Sequence, residues 1–178
     1  MHDTIEIHRD AFSSGQISSK LWLCQELEKF TFRKPQTIWI YGGWHGLAAF
    51  LLLSRDVIPI QQIRSFDIDP RCEPIADALL ENWVWQSWKF KAVTADCNMI
   101  SFEHEQPDII INCSTEHFES SQWFTTIPAG TLLVLQSNNM PHEEHNNCCN
   151  SLEEFVKKYE INISYQGILD FVYPSWKF

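Results

Sequence analysis

Thr37-Ile-Trp-Ile-Tyr-Gly-Gly-Trp-His-Gly46 is the stretch that decides the fold. An apolar run passes directly into a cluster of glycines, and a second apolar segment, 47–53, follows at once. This order predicts a β-strand, a tight turn and an α-helix. Because glycine has no side chain, a ligand can approach the backbone of such a turn closely, at the N-terminus of the helix. We therefore expect the turn to bind a ligand.

Length and composition indicate one folded domain over residues 1–178. Hydrophobic residues make up 44% and aromatic residues 13%, which is enough for a packed core. We expect an N-terminal arm and helix in 1–35, with 1–16 as the arm, and a ligand-binding core in 37–136.

Charge and hydropathy narrow the class of protein further. The net charge of −10 argues against broad binding to nucleic acid, which usually needs a basic surface. The sequence shows neither a long apolar run nor a secretory signal, so we expect no membrane span and a cytoplasmic location. The six cysteines are then expected to be mostly buried thiols rather than disulfides.

Further strand and helix patterns follow the first. The fully apolar segment 109–111 is typical of a central parallel strand that is buried on both faces. Strands are predicted at 37–41, 63–70, 90–95, 109–111, 131–135 and 167–173, with 57–60 as a short connection. Helices are predicted from Ser18 or Ser19 to about 30, and at 47–54 and 74–81, with another that begins at a capping box at Ser151. A short helix or turn is predicted at 120–127. This alternation predicts an α/β fold with a mostly parallel sheet and helices on both faces.

Two acidic residues stand where predicted strands end. Asp67 lies at the end of the second strand and Asp96 directly after the third. Because ligands of such sheets bind beyond the C-terminal ends of the strands, both should lie beside the glycine turn. A carboxylate at Asp67 suits a ribose diol, and one at Asp96 suits an adenine amino group.

The order of these motifs resembles the class I S-adenosylmethionine-dependent methyltransferases over about 37–136. Segment 38–46 is similar to the first motif of that family, 66–70 to its acidic ribose motif and 94–97 to its adenine motif. Segments 107–112 and 127–133 are similar to its fourth motif and to the entry of its fifth strand. The resemblance implies a Rossmann-like fold, S-adenosylmethionine as cofactor, and methyl transfer to an oxygen or nitrogen. The implied cofactor-binding residues are Tyr41, Gly42, Gly43, Gly46, Asp67, Ile68, Asp96 and Cys97. The pattern is also similar to small methyltransferase-like proteins of tailed bacteriophages, which implies the host cytoplasm.

Three features depart from the family pattern. Ile40 replaces an acid that normally helps to hold the methionine amino group, and Trp44 replaces the middle glycine of the turn. The C-terminal hairpin of the family is truncated or reduced to a single strand at 176–178. These departures favour an alternative, a non-catalytic binding protein with this fold. A nicotinamide dinucleotide site fits less well, because its motif needs glycine at Tyr41.

Polar residues after the fourth strand are candidates for catalysis. Asn112, Glu116 and His117 should lie near the methyl group, with Glu116 or His117 as a general base. Positioning and desolvation can supply much of the rate of a methyl transfer, so a dedicated base is not required. The segment lacks the motif that resembles base-amino methyltransferases. A small molecule or a protein is therefore favoured as acceptor over nucleic acid.

Two other clusters have a functional and a structural interpretation. The loop 136–149 contains zinc-ligand residue types, His142, His145, Cys148 and Cys149. Their spacing fits no standard zinc signature, so the sequence favours a rim or lid loop beside the acceptor and assigns no metal ion. The aromatic residues Trp83, Trp85, Trp88 and Phe90 are expected in the core or on a face between copies in a homo-oligomer.

Overall fold

Five parallel strands form one sheet in the computed structural model, which describes residues 6–85, 88–119, 122–159 and 161–170. The strands are β1 (Gln36–Tyr41), β2 (Ile60–Asp67), β3 (Phe90–Thr94), β4 (Ile109–Asn112) and β5 (Leu132–Leu135). Their order across the sheet is β3-β2-β1-β4-β5. The winding direction therefore reverses between β1 and β4. A ligand of such a sheet binds beyond the C-terminal ends of the strands at this point.

Helices cover both faces of the sheet. They are α1 (Ser14–Leu27), α2 (Leu47–Arg55), α3 (Cys72–Leu79), α4 (Glu81–Trp85), α5 (Gln122–Thr125) and α6 (Leu152–Tyr159). Side chains alternate along β1, so that Ile38 and Ile40 face the core with α1, α2 and α3. Trp39 and Tyr41 face the opposite core, which α5 and α6 cover. The predicted α/β architecture is confirmed.

Most predicted elements lie within a residue or two of their observed positions. The predicted strands at 37–41, 90–95, 109–111 and 131–135 each differ from the observed strand by one residue at most at either end. Ser151 Oγ accepts a hydrogen bond from the Glu154 amide at 3.1 Å, as a capping box requires. Among the residues described, no helix is both long and apolar enough to cross a membrane.

The prediction was wrong about the start of β2 and of α1. β2 begins at Ile60 rather than at 63, because the Gln36 amide donates to the Pro59 carbonyl at 2.7 Å and brings this segment onto β1. It ends at Asp67. The N-cap of α1 is Ser13, whose side chain accepts from the Gln16 amide, and Ser19 is buried inside the helix. The segment 1–16 is therefore not a simple arm, since a short 3-10 helix, Arg9–Phe12, precedes α1.

The sixth strand was predicted at 167–173. Within the described part of that range, the backbone is irregular up to an isolated bridge at Asp170. Residues 171–178 lie outside the described residues, so the predicted end of the sixth strand and the final strand at 176–178 stay predictions.

The predicted aromatic cluster divides between the core and the surface. Phe90 is fully buried and Trp83 packs against the core of α1, α2 and α3. Trp85 and Trp88 are 79% and 65% exposed. The core interpretation therefore holds for two of the four residues.

Candidate functional site

The glycine turn after β1 is a tightly bonded loop against β2. The Gly43 amide donates to the Phe66 carbonyl at 3.0 Å, and the Gly46 amide donates to the Gly43 carbonyl at 2.9 Å. Gly46 has a φ of +81°, a region that glycine adopts without steric cost. A Cβ atom on Gly43 would lie 1.9 Å from Ser65 Oγ, so only glycine fits there. The predicted turn is present, and its glycines allow the chain to pack closely against Ser65, Leu80 and Ser114.

Asp67 joins the end of β2 to this turn. Its Oδ2 accepts a hydrogen bond from the Trp44 amide at 2.8 Å, and its Oδ1 accepts from the Asp69 amide at 3.0 Å. An ionised carboxylate can accept about four hydrogen bonds. The Cys72 thiol also hydrogen-bonds to this carboxylate, and the acceptor capacity that remains suits a ligand such as a ribose diol.

Aromatic rings cover the turn. The ring centroids of Trp44 and His45 are 5.1 Å apart, and His8 lies 6.2 Å from Trp44 and 6.3 Å from His45. Burial first, and then the nearby His8, lower the pKa of His45, while Asp67 and Asp69 oppose the change. Neither histidine was predicted to have a role. His45 could have been noticed from its place inside the turn motif, but nothing in the sequence places His8 there.

Apolar surface is exposed beside Asp67. Ile68 is 70% exposed, so it is not a core residue, and Met99 on the 3-10 helix Cys97–Met99 is 79% exposed. The two segments are neighbours because β2 and β3 are paired and the Ala95 amide donates to the Asp67 carbonyl at 2.9 Å. This arrangement offers apolar contacts to a flat ring near the Asp67 carboxylate.

Asp96 and Cys97 connect β3 to the same edge. Asp96 Oδ1 accepts from the backbone and side-chain nitrogens of Asn98, both at 2.9 Å, and so caps the 3-10 helix. Burial raises the pKa of the Cys97 thiol to about 12, and a hydrogen bond from the Gly42 backbone opposes this. Cys97 therefore lies directly against the glycine turn.

The side chains of Tyr41 and Ile40 are buried away from solvent. Tyr41 is fully buried, with its ring edge-on to Phe66 and Trp123 at 5.9 Å each, and burial raises its pKa. Ile40 is also fully buried, in the core with α1, α2 and α3. At the end of β1 the chain therefore offers backbone groups rather than an acidic side chain.

The end of β4 touches the turn from the other side. Ser114 Oγ donates to the Gly42 carbonyl at 3.4 Å, and Phe118 lies 3.3 Å from the place where a Gly42 Cβ would be. Asn112 is fully buried, and its Oδ1 accepts from the Ser114 amide at 3.1 Å. Its Nδ2 has no hydrogen-bond partner among the described residues. The two N–H donors of Asn112 Nδ2 are therefore unused close to the predicted cofactor site.

Glu116 and His117 follow on the 3-10 helix Thr115–His117. Glu116 is 4% exposed, and burial raises its pKa to about 7. Asn138 Nδ2 donates to its Oε1, while Oε2 makes no well-aligned hydrogen bond in the described part of the chain. Partial burial first, and then His145, lower the pKa of the more exposed His117. The two residues stand directly after β4, as the sequence predicted.

The loop 136–149 packs against this segment. The Asn147 amide donates to the Glu116 carbonyl at 3.0 Å, and Thr115 Oγ1 donates to the Gln136 carbonyl at 3.0 Å. The rings of His145 and His117 are perpendicular, with centroids 4.6 Å apart. The loop thus forms one wall of the region that contains Glu116 and His117, which is the position expected of a rim loop.

A separate cavity of about 630 Å³ lies along β5. Residues of α1, α6 and the segment 161–168 complete its walls. Among the described residues that line it, none belongs to the glycine turn, β2 or the 3-10 helix Thr115–His117. The cavity is therefore distinct from the predicted cofactor site.

Comparison with solved structures identifies the fold. The magnesium protoporphyrin IX methyltransferase (ChlM) from Synechocystis PCC 6803 with bound SAH matches 97% of this chain and 86% of its own, with a TM-score of 0.68 and 11% sequence identity. The chain has the methyltransferase fold. No family model matches the sequence, and no curated protein matches it.

Other methyltransferase structures agree. The same Synechocystis protein with bound SAM gives a TM-score of 0.62 at 13% identity, with 92% of this chain and 76% of that one covered. The ribosomal protein L11 methylase from Lactobacillus delbrueckii subsp. bulgaricus gives a TM-score of 0.57 at 12% identity. The match covers 93% of this chain and 77% of the methylase. The methyltransferase fold expected from the motif order is confirmed by these similarities.

Proposed function

We propose that the chain is an S-adenosylmethionine-dependent methyltransferase that transfers a methyl group to an oxygen or nitrogen of an acceptor. The observation that carries this proposal is the pair of hydrogen bonds that fix Asp67 at the glycine turn, with Trp44 on one oxygen and Asp69 on the other. They hold the carboxylate beyond the C-terminal end of β2, next to the point where the winding of the sheet reverses.

The adenosine half of the cofactor fits the groups around Asp67. The free acceptor positions of Asp67 bind the ribose hydroxyls, and the exposed Ile68 and Met99 contact the adenine ring. Asp96 accepts from the adenine amino group, in addition to its hydrogen bonds with Asn98. The backbone amide and carbonyl groups of the glycine turn contact the central part of the cofactor, while the packing of the turn against Ser65, Leu80 and Ser114 fills the space that Cβ atoms would need.

The methionine half needs partners other than an acid in β1. Ile40 is apolar and buried, so it contributes no hydrogen bond. Asn112 and Ser114 are the polar side chains at the end of β4 that connect to the turn through Ser114 Oγ and the Gly42 carbonyl. We assign the methionine end to these two side chains.

The reaction is an in-line displacement. A lone pair of the acceptor atom forms a bond to the methyl carbon while the carbon–sulfur bond breaks and its electrons return to sulfur. The proton that the acceptor loses goes to a base or to water. Glu116 suits this role, since its pKa of about 7 lies near neutral pH, and His117 is the second candidate.

We propose the class of the acceptor from the net charge and the motifs of the sequence. The net charge of −10 and the absence of a base-amino methyltransferase motif favour a small molecule or a protein over nucleic acid. Bacteriophage origin, a cytoplasmic location and assembly into a homo-oligomer stay predictions from the sequence.

A non-catalytic binding protein with the same fold is the second candidate. Ile40 in place of an acid favours it, as does the bulky Trp44 at a φ of +46°, where glycine is usual. Such a protein would use the fold as a surface for a partner and would have no need of the methyl donor.

Isothermal titration calorimetry with S-adenosylmethionine and with S-adenosylhomocysteine separates the two candidates. The enzyme proposal predicts saturable binding of both, with Kd values well below about 1 mM, or roughly −4 kcal/mol. Absence of binding at that concentration in folded protein overturns the enzyme proposal and leaves the binding protein.

A further inference from the structure

Three metal-ligand side chains come together beside the end of β4. One potential ligand atom from each of Glu116, His117 and His145 lies within 4.8 Å of the other two. In the described part of the chain this is the one group of three or more histidine, cysteine or acidic residues with that geometry. The sequence could not indicate this cluster, because His145 is 28 residues from His117. Only the packing of the loop 136–149 brings them together.

We propose that Glu116, His117 and His145 bind a divalent transition-metal ion, with Zn²⁺ as the preferred ion. Two imidazoles and one carboxylate are a ligand set that suits zinc, whereas Mg²⁺ prefers oxygen ligands alone. From the spacing of His142, His145, Cys148 and Cys149, the sequence predicted no metal ion. The proposed site uses only His145 from that group.

Glu116 has a free ligand oxygen in a buried place. Its Oε1 accepts from Asn138 Nδ2, and the Ser137 hydroxyl is close enough to lower its pKa, but Oε2 makes no well-aligned hydrogen bond among the described residues although the residue is only 4% exposed. A buried carboxylate oxygen without a partner is costly, and a bound cation removes this cost. The Asn138 hydrogen bond also fixes the orientation of the carboxylate, as the outer partners of metal ligands do.

His145 is oriented in the same way. Its Nδ1 lies 2.8 Å from the Met140 carbonyl oxygen. Because a carbonyl oxygen can only accept, Nδ1 carries the proton and the lone pair of Nε2 is left for a ligand. A hydrogen bond from the second ring nitrogen to a backbone carbonyl is a usual feature of histidines that bind metals.

Small side-chain movements close the site. Ligand atoms about 2.1 Å from a tetrahedral ion are about 3.4 Å apart, so the present spacing of up to 4.8 Å needs to contract by about 1.4 Å at most. His117 is exposed, so its ring can rotate towards the ion, while the hydrogen bond to the Met140 carbonyl keeps His145 in place. Three protein ligands leave a fourth coordination position open, which is the arrangement of catalytic rather than structural zinc sites.

The open coordination position of the ion would be available to the acceptor of the methyl group. An acceptor oxygen bound to the ion would lose its proton more readily, since a bound cation lowers the pKa of such a group. Glu116 and His117 would then act as ligands, and the ion would replace a protein base. Metal binding itself does not rest on the proposed function, because it is measured without S-adenosylmethionine.

The test is a calorimetric titration of chelator-treated protein with ZnCl₂ alone. We expect one ion per chain with a Kd of about 1 µM or tighter, and much weaker binding of Mg²⁺. His117→Ala and His145→Ala should each weaken Zn²⁺ binding at least about 100-fold, since loss of even an outer partner costs 10- to 100-fold. His104→Ala, which removes an exposed histidine elsewhere, should leave the Kd unchanged.

One further variant, Cys148→Ser, tests whether a thiol rather than His145 binds the ion. Cys148 Sγ donates to the same Met140 carbonyl that accepts from His145, so its thiol could compete for the ion. Cys148→Ser should retain binding, and loss of binding there together with retention in His145→Ala would overturn the assignment. Binding weaker than about 100 µM in the wild-type protein, or equal binding in wild type and His117→Ala, would also overturn it. Circular dichroism of each variant in chelator confirms that it is folded.

Discussion

The Trp44 backbone amide donates a hydrogen bond to Asp67 Oδ2 at 2.8 Å, and this bond makes the glycine turn and the end of β2 one unit. The turn cannot shift without moving the carboxylate that we assign to the ribose. The same unit includes Gly43, whose amide is bonded to the carbonyl of Phe66, the residue before Asp67. Changes to the turn are therefore expected to affect both stability and cofactor binding.

Gly43→Ala should destabilise the protein by about 2 kcal/mol, because the added Cβ atom would lie 1.9 Å from Ser65 Oγ in a buried place. Chemical denaturation followed by circular dichroism measures this difference. Gly15→Ala is the matched control, since nothing lies within 4 Å of the added atom and the position is inside α1. That control should be neutral or more stable by about 0.5 kcal/mol.

The cause of the Gly43 effect can be isolated with a second substitution. Ser65→Ala removes the hydroxyl that the new methyl group would meet, although the Ser65 Cβ atom, at 3.2 Å, remains close. The double variant should therefore recover part of the loss. If Ser65→Ala gives no recovery at all, the clash is not the reason for the effect.

Asp108 should make the stability of the protein depend on pH in the acid range. Its carboxylate accepts from Lys34 Nζ at 2.6 Å and from the Thr37 amide at 2.9 Å, which joins the entries of β4 and β1. Burial acts to raise the pKa of Asp108, but the bonds to Lys34 and Thr37 outweigh it and hold the pKa below its ordinary value of 3.8. The ionised carboxylate of Asp108 therefore stabilises the fold at pH values above 3.8. This stabilisation is lost as the pH falls through the lowered pKa of Asp108 in the folded protein.

Asp108→Asn measures that contribution. At pH 7 the variant should be less stable by about 1 kcal/mol, a modest figure because Lys34 is largely exposed. The difference between variant and wild type should shrink as the pH falls below about 4. Glu103→Gln, at an exposed acid, should show little difference at any pH. A difference for Asp108→Asn that is the same at pH 3 and pH 7 would contradict this explanation.

The parts of the fold that were predictable depend on local patterns. The apolar run at β4 and the glycine turn after β1 have signals that lie within a few residues, so both were located within one residue. The order of Asp67 and Asp96 along the chain indicated that they share an edge, and the pairing of β2 with β3 brings them there.

The parts that were not predictable depend on contacts between distant residues. The start of β2 at Ile60 follows from its pairing with Gln36, and the residues Gln61 and Gln62 give no apolar signal for a strand. The approach of His145 to Glu116 follows from the packing of an irregular loop, for which no periodicity exists. The cap at Ser13 was missed because serines also stand at positions 14, 18 and 19, and only the structure shows which of them accepts from an amide.

Calorimetric titration of S-adenosylhomocysteine into wild-type protein and into Asp67→Ala is the most informative measurement for the proposed site. Loss of the carboxylate removes the acceptors for the ribose diol, so the Kd should rise at least about tenfold, or about 1.4 kcal/mol. Asp69→Ala, two residues away and paired with Arg71 instead, should change the Kd much less. Equal affinity in wild type and folded Asp67→Ala would contradict the assignment of the cofactor to the glycine turn.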